Sequence, residues 1–474
     1  MLKDIIKKEI LDHLLSSKFV FMFIICSILI LLSVYMGVAG YLTDKKVHDD
    51  DVAWDQMGMV PPNTYGTLLE GAIKTYRAPQ PLGALVKGVE DAAGRVSHAI
   101  LTEVGLSESK YESNPLTAVF GAFDLIFIVK MALSLFAILL IYDTICGERE
   151  KGTLKLSLAN SVPRDRLLLG KAIGGYISLC IPLLLPLLLS LIYLSLHPGI
   201  ALTGEDWQRL GMIFLMFLLY LSVFFCLGMF VSSLTVRSST SLLVLLFIWS
   251  VWGMVVPKAS VIIAGQLRPI PSSNEIYAQK VLFSDQVRQE LTQAMQQKRT
   301  ALQAQFNVTS SRSLEYQEFQ KAMSELSREL GLESERREGE SNAKIDRDYQ
   351  LRKDAQATLA KNISRISPAS ALTFGATTLA RTGVDDYYRF IKAAMEYKPI
   401  IYTWVQSNPD LRNENGSYKQ INSVTLAGMP QPALEYDNLS RSFVRILPDL
   451  ISMTVMIVLL MGGAYFAFIR YDVR

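Results

Sequence analysis

The sequence predicts an all-α integral membrane protein with six transmembrane helices. Half of the 474 residues are hydrophobic and only 19% are charged, whereas a soluble domain of this size usually carries about a quarter charged residues. The apolar residues are also grouped in runs of roughly 20, the length that a helix needs to cross ~30 Å of hydrocarbon. An N-terminal interfacial helix and a large, mainly helical external region between spans 5 and 6 complete the predicted fold.

The domain organisation follows from the alternation of apolar runs and polar segments. We predict, in order, an interfacial amphipathic helix at 1–18, span 1 at 19–41, external region 1 at 42–118, span 2 at 119–142, a cytoplasmic loop at 143–171, span 3 at 172–196, a short external loop at 197–209, span 4 at 210–234, a cytoplasmic turn at 235–240, span 5 with a re-entrant piece at 241–265, external region 2 at 266–445, span 6 at 446–469 and a cytoplasmic tail at 470–474.

The first 18 residues have the pattern of a short helix that lies in the membrane interface. Lysine and aspartate side chains lie mostly opposite an apolar stripe made by Leu2, Ile5, Ile6, Ile10 and Leu14. A second interpretation of the same residues is an ordinary start of span 1.

Prolines predict where two of the spans depart from a regular helix. Pro182 and Pro186 should kink span 3 or part its backbone hydrogen bonds. Pro257 should interrupt span 5, and the apolar piece after it would be a half-helix that dips back toward the membrane, its free backbone groups covered by protein.

The two large polar regions differ in composition. External region 1 is punctuated by prolines, so we expect loops and short helices. From 274 to 367 the chain has no proline and is dense in helix-favouring residues, which predicts a long helical hairpin. Gly331 and Gly339 are the predicted break points of that hairpin.

The distribution of basic residues predicts the orientation in the membrane. Six Lys and Arg residues lie within 143–171, whereas the short loop at 197–208 has none. Because short cytoplasmic loops carry an excess of Lys and Arg, we expect the 143–171 loop and both termini to be cytoplasmic. The four cysteines lie in or beside predicted spans, so neither large polar region is expected to be held by disulfides.

The sequence lacks the motifs of an enzyme. Its four histidines are scattered, which disfavours a zinc site, and no basic and aromatic interleaving indicates nucleic acid as a partner. The nearest approach to a phosphate-binding loop runs from Gly147 to Thr153, but its lysines at 151 and 155 are misplaced for contact with phosphates. We therefore expect no catalysis, no metal and no cofactor in this chain.

The polar loop at 143–171 is predicted to be a docking surface for a separate soluble partner. Thr153 can cap a short helix that exposes Leu154, Leu156 and Leu158 among polar residues. The alternative is a loop that only follows the positive-inside bias. That alternative explains the basic residues but neither the exposed leucines nor the two glutamates at 148 and 150.

Two charged residues are predicted to lie inside span 2. If the helix starts near Val119, Lys130 lies ~16 Å and Asp124 about 8 Å from its start. A lysine near the middle of the bilayer should face the bundle interior or a neighbour, either as the polar lining of a translocation path or as a dimer contact. The alternative is that span 2 starts later and that Lys130 reaches the outer interface.

The motifs in the loop resemble those of a known family of transport proteins. The run from Glu148 to Leu154, followed by Pro163-Arg164 and Gly170-Lys171, is similar to the E-x-E-x-G-T-L…P-x…GK pattern of ABC-2 type transporter permeases. The six-span topology fits the same family. The enlarged external regions and the segment from Arg470 to Arg474 resemble the subgroup whose external regions are large.

The resemblance implies a function and a set of partners. The 143–171 loop would form a coupling helix seated on a separate ATPase subunit, which would hold ATP and Mg²⁺. The residues implied at that interface are Glu148, Arg149, Glu150, Gly152, Thr153, Leu154, Lys155, Leu158, Pro163 and Arg164. Further expected partners are a second permease, identical or homologous, membrane lipid and an external protein.

Two functions fit the resemblance. The first is export or extrusion of an amphiphilic substrate such as a lipid, a lipopeptide or a peptide across a bacterial inner membrane. The second is a non-transporting membrane scaffold that relays ATPase-driven motion to an external envelope partner.

Overall fold

The computed structural model of the chain describes residues 2–56, 64, 73–99, 104–107, 123–155, 163–306, 314–411, 419–420, 430, 432 and 434–470. These residues fold as two compact units. The first is formed by Met1–Pro257 and Arg365–Arg474, and the second by Lys258–Ser364.

Helices dominate both units. Their bounds are α1 (Leu2–Leu14), α2 (Ser17–Gln56), α3 (Leu125–Ile128), α4 (Ser134–Ile141), α5 (Cys146–Glu150), α6 (Arg164–Leu196), α7 (Gly204–Leu234), α8 (Ser238–Ser250), α9 (Val256–Leu267), α10 (Ser273–Phe306), α11 (Leu314–Ser364), α12 (Pro368–Ala380), α13 (Val384–Ser407) and α14 (Leu439–Ile469), with 3₁₀ turns at Pro81–Ala84 and Pro409–Leu411.

Within the described residues, six helical segments are long and apolar enough to cross a membrane. They are span 1 (Ser17–Trp54), span 2 (Leu125–Glu150), span 3 (Arg164–Leu196), span 4 (Gly204–Leu234), span 5 (Ser238–Leu267) and span 6 (Leu439–Ile469). The predicted all-α membrane fold with six spans is therefore confirmed.

Span 4 lies at the centre of the first unit. It packs against span 6, α12 and span 2, and it contributes the fully buried aromatic side chains Phe217, Tyr220 and Phe224 to the core. Spans 5 and 6 are much less buried than span 4. In each of them, only 11% of the most apolar 18-residue stretch is buried within the chain. Their apolar faces are left for lipid or another protein to cover.

Span 1 approaches another segment of backbone at a glycine. A Cβ atom added at Gly37 would overlap the carbonyl oxygen of Ala84, in the 3₁₀ turn at Pro81–Ala84. Leu82 and Leu85 are buried beside this contact. Only glycine allows the helix and the turn to come this close.

The region from 42 to 118 contains a small sheet as well as helix. Strands β1 (Ile73–Tyr76), β2 (Val96–Ala99) and β3 (Val104–Ser107) form an antiparallel sheet in the order β1-β2-β3, and α13 packs on β2 and β3. In addition, α2 continues to Gln56. Loops and a short 3₁₀ helix are present at 77–95 as predicted, but the sheet was not predicted, because the prolines at 79 and 81 follow β1 instead of breaking it.

The prolines of spans 3 and 5 lie within helical segments. The helix α6 continues through Pro182 and Pro186 without interruption. In span 5 a π-helical turn, Val251–Val255, precedes Pro257, and helix resumes at Val256. The predicted interruption at Pro257 was wrong, because the π turn directly before this proline shifts the backbone hydrogen-bond pattern and the helix continues past it to Leu267.

The region from 266 to 445 is divided between the two units. The helix α12 belongs to the first unit and packs against spans 4 and 6. It carries no charged residue, and most of its side chains are small and buried. Ser367, at its N-cap, donates a hydrogen bond to the carbonyl oxygen of Trp252 in the π turn of span 5 (2.5 Å).

The second unit is an antiparallel helical hairpin of α10 and α11. Lys280 pairs with Asp346 at 2.7 Å and Arg337 pairs with Glu290 at 2.8 Å across it, and the side chain of Val287 is fully buried between them. The predicted hairpin is therefore present.

The predicted break points of the hairpin were wrong. Gly331 and Gly339 both lie inside the continuous helix α11, and residues 307–313, between the two helices, lie outside the described residues. Each glycine weakens a helix by only about 1 kcal/mol, which packing along a 51-residue helix can offset.

Candidate functional site

The segment that follows span 2 lies where several spans end. The Lys18 amino group, near the start of span 1, donates to the Tyr142 hydroxyl at 3.0 Å and pairs with Asp143 at 3.1 Å. The Ser241 hydroxyl of span 5 donates to the carbonyl oxygen of Tyr142 at 2.8 Å. Spans 1, 2 and 5 therefore meet at this end of the bundle, which we call the loop end.

The short helix α5 is anchored on span 4. The Ser232 hydroxyl oxygen accepts hydrogen bonds from the backbone N–H groups of Ile145 and Cys146, both at 3.1 Å. These donors lie at the start of α5, where a helix has N–H groups without an intrahelical acceptor. A side chain of span 4 thus satisfies the N-terminus of the segment that leads into the loop.

Glu148 takes part in a buried ion triad. Its carboxylate lies 2.7 Å from the Lys171 amino group, and the Glu9 carboxylate lies 2.8 Å from the same nitrogen. Lys171 is only 2% exposed, so its charge is stabilised mainly by these two partners. The triad joins α1, the start of the loop and the beginning of span 3.

Arg149 caps the end of span 4. Its guanidinium donates to the carbonyl oxygen of Thr235 at 2.9 Å and to that of Ser233 at 3.2 Å. The last carbonyl groups of a helix lack intrahelical donors and attract cations. The arginine therefore fixes the loop to the C-terminus of this helix.

Glu150 caps the start of span 5. Its carboxylate accepts hydrogen bonds from the Ser238 N–H at 3.1 Å and from the Ser238 hydroxyl at 2.8 Å. An acidic group is favourable at this position because the N-terminus of a helix carries partial positive charge. Three consecutive residues, 148 to 150, thus bond to three different spans.

Arg164 makes the corresponding contact with span 6. Its guanidinium donates to the carbonyl oxygen of Ile469, the last residue of α14, at 2.6 Å. We use the name clamp for Glu148, Arg149, Glu150 and Arg164. Together with the contacts of Tyr142 and Asp143, the clamp connects the loop to α1 and to spans 1, 3, 4, 5 and 6.

The remaining predicted interface residues divide into exposed and buried positions. Gly152, Thr153 and Lys155 are exposed, as is Pro163 at the N-cap of α6. Gly152 has a φ of 75°, in the left-handed region. We use the name outer face for Lys151, Gly152, Thr153 and Lys155, the exposed positions directly after α5.

One predicted leucine contact was wrong. Leu154 is 1% exposed and belongs to the hydrophobic core, because the turn at Gly152 directs it inward between exposed neighbours. Leu156 and Leu158 lie outside the described residues.

Comparison with known families decides what kind of protein has this loop end. The family model for ABC-2 family transporter proteins matches residues 4–473. The chain belongs to this family. Comparison with individually curated proteins gives no match.

Membership in the ABC-2 family carries three consequences. The chain is a multi-pass membrane protein and a transmembrane subunit of the ABC transporter class. It is a permease and not itself the catalytic subunit. The family also implies association with an ABC ATPase.

Asp124 and Lys130, the two charged residues predicted inside span 2 of the permease, lie nearer to the start of the helix than predicted. The described helix begins at Leu125, and Asp124 is its N-cap: the carboxylate accepts from the Phe127 N–H at 2.9 Å and from the Lys87 N–H at 3.2 Å. Lys130 is therefore only ~8 Å from the start of the helix. The predicted start near 119 was wrong because residue 124 is extended.

Lys130 lies in a π-helical turn, Val129–Leu133. Such turns shift the hydrogen-bond pattern of a helix and are frequent at functional sites. The carbonyl oxygen of Lys130 accepts a hydrogen bond from the Tyr220 hydroxyl at 2.9 Å, which joins the turn to span 4.

A buried arginine in span 4 was not predicted from the sequence. Arg209 is fully buried, pairs with Glu205 at 2.8 Å, and donates to the carbonyl oxygens of Leu379 at 3.0 Å and Asp437 at 2.6 Å. It thereby connects span 4 to α12, which contains Leu379, and to the residues just before span 6, which include Asp437. A single arginine beside an apolar run signals a buried charge, but its partners lie too far along the sequence to be inferred.

Proposed function

We propose that the chain is the membrane-spanning subunit of an ATP-driven exporter in which the 143–171 loop couples a separate ATPase to the spans. The observation that carries this proposal is the clamp, because it bonds the loop to both neighbouring and distant spans. A force applied to the loop would reach all of them through short hydrogen bonds and ion pairs. ATP and Mg²⁺ would be held by the ATPase.

The loop separates two tasks. Side chains of the clamp are engaged within the chain, whereas the outer face is exposed. We therefore assign direct contact with the ATPase to the outer face, and transmission of its motion to the clamp. The basic side chains of Lys151 and Lys155 favour an acidic ATPase groove.

The proposal places the loop end in the cytoplasm. The contacts of Glu9 with Lys171 and of Arg164 with Ile469 bring α1, the loop and the end of span 6 to one end of the bundle. This agrees with an even number of spans. The excess of basic residues in the loop supports the cytoplasmic side of a bacterial inner membrane.

The proposal includes a second permease, identical or homologous, and an amphiphilic substrate such as a lipid, a lipopeptide or a peptide. Support comes from spans 5 and 6, whose most apolar stretches are mostly not buried within one chain. A second permease would cover part of these surfaces. The remainder would be accessible to a substrate that enters from the membrane.

Charge reversal on the outer face tests the docking assignment. In Lys151→Glu/Lys155→Glu we expect the permease to keep its thermal stability and to lose the ATPase in co-purification. The matched control, Lys298→Glu/Lys321→Glu, makes the same charge change at exposed positions of the helical hairpin and should retain the ATPase. Equal ATPase yields from both variants would reject the outer face as the docking surface.

A change in the clamp tests transmission. Arg149→Met should leave the ATPase bound, because the outer face is intact, but should reduce substrate flux per ATP hydrolysed in reconstituted vesicles. Unchanged flux per ATP would show that the clamp does not transmit motion. ATP-dependent work on an envelope partner without flux in the wild-type complex would replace export by the scaffold function.

A further inference from the structure

We infer that α1 carries a binding site for one anionic phospholipid of the surrounding leaflet. The acyl chain would lie in an apolar groove of α1, and the headgroup phosphate would be held between Lys3 and Lys7. The site concerns lipid recognition by the permease itself and does not depend on the export function proposed above.

One side of α1 is fixed by packing on span 3. A Cβ atom added at Gly170 would lie 2.5 Å from the Ile5 side chain, and one at Gly174 would lie 2.8 Å from the Cβ of Glu9. The two glycines therefore let α1 lie directly on span 3. Glu9, the only buried residue of α1, lies at this contact and bonds to Lys171.

A neighbouring side of α1 forms the groove. The groove has a volume of about 280 Å³ and is lined by Lys3, Ile6, Lys7, Ile10 and Leu11. Its wall is almost entirely carbon, because the two lysines contribute their alkyl chains while their amino groups can reach outward. A groove with an apolar floor and a basic rim matches the chemistry of an acyl chain that ends in a phosphate.

Helical geometry puts the two lysines of the rim together. Successive residues of an α-helix are rotated by about 100°, so Lys3 and Lys7 are roughly 40° apart and one turn from each other. Lys8 is about 140° away from Lys3 by the same rule. Only two of the three lysines of α1 can therefore hold the same headgroup.

Both rim lysines are available for a ligand. Each is exposed, and among the described residues neither amino group has a carboxylate within 4.0 Å. An exposed ion pair strengthens binding by at most roughly fivefold, and two ion pairs by at most about 30-fold.

The position of the groove selects lipid over a soluble partner. The membrane-crossing helix α2 begins at Ser17, three residues after α1 ends at Leu14. Leu11 and Leu15, at the same end, are 45% and 80% exposed. Apolar side chains that are this exposed and this close to a span are stabilised by the membrane interface.

Lipid binding on the purified full-length chain tests the site. In detergent, the chain is titrated with fluorescent phosphatidylglycerol and with phosphatidylcholine of identical acyl chains. We expect a preference for phosphatidylglycerol that weakens at high salt, and phosphatidylglycerol binding that is about 2-fold to 30-fold weaker in Lys3→Gln/Lys7→Gln. The control, Lys8→Gln/Lys46→Gln, has the same net charge as Lys3→Gln/Lys7→Gln. It should bind phosphatidylglycerol as tightly as the wild type does.

Other outcomes would overturn the inference. Equal loss in both double variants would mean that net charge, and not the rim, attracts the lipid. Displacement of phosphatidylglycerol by an equal concentration of inorganic phosphate would reduce the site to a plain anion site. If Lys3→Gln/Lys7→Gln fails to fold, a wild-type chain without preference or without salt dependence still rejects the site.

Discussion

Removal of the charge at Lys171 should destabilise the permease strongly. The Lys171 amino group lies 2.8 Å from Glu9 and 2.7 Å from Glu148, whose side chains are 9% and 24% exposed. Breaking a buried ion pair by removing one partner costs ~3–5 kcal/mol, because the other charge stays buried. The partly hydrated Glu148 should add at most ~1 kcal/mol. For Lys171→Met we therefore expect a loss of about 4 kcal/mol in the free energy of unfolding.

Thermal unfolding of the purified chain in detergent measures this loss. At about 2 °C per kcal/mol for a large domain, Lys171→Met should lower the Tm by about 8 °C. The control is the variant Glu9→Met/Glu148→Met/Lys171→Met, which removes all three charges together. It should regain most of the Tm, because a buried ion cluster replaced as a whole by hydrophobic side chains of similar volume is often no less stable.

Two results would refute this reasoning. A Tm of Lys171→Met equal to that of the wild type would mean that the two carboxylates do not depend on the lysine. A triple variant as unstable as Lys171→Met would show that the loss comes from the shape of the lysine side chain and not from its charge.

Three further predictions concern backbone contacts, helix propensity and pH. Gly37→Ala should cost ~1–3 kcal/mol of stability because its Cβ would meet backbone, whereas Gly40→Ala, whose Cβ has ordinary contacts, should cost little; equal Tm values would contradict the close approach. Gly331→Ala and Gly339→Ala, at open helical positions, should each stabilise the hairpin by up to ~1 kcal/mol, as judged by its resistance to proteolysis, and faster cleavage would contradict this. Burial lowers the pKa of His13 below its ordinary value of 6.5, so the unfolded chain binds a proton that the folded chain excludes, and stability should fall as the pH drops below about 6.5. The Tm difference between the wild type and His13→Gln should change in that range, and a constant difference would contradict a lowered pKa of the partly buried His13 imidazole.

The membrane fold could be predicted from the sequence because its signal is local. A run of apolar residues is sufficient to mark a span, and all six were found in this way. The helix α12 was missed although its signal is also local: 13 residues without a charge, rich in alanine and threonine. It is too short to cross a bilayer and was therefore grouped with its polar neighbours.

The contacts of the loop could not be predicted because their partners are distant in the sequence. Glu150 and Ser238 are 88 positions apart, and Arg164 and Ile469 are 305 positions apart. Nothing near Glu150 indicates that its carboxylate caps a helix that begins much later. The glutamates were interpreted as surface residues, whereas the structure bonds them within the chain.

The clamp also has a consequence for biosynthesis. Its partners leave the ribosome in a fixed order: Lys171 first, then Ser238 and finally Ile469, the acceptor of the Arg164 bond. The triad around Lys171 can close as soon as span 3 enters the membrane, whereas the bond at Arg164 must wait for span 6. Nascent permeases therefore acquire a complete loop end last, and an ATPase that recognises its finished geometry would leave incomplete chains unengaged.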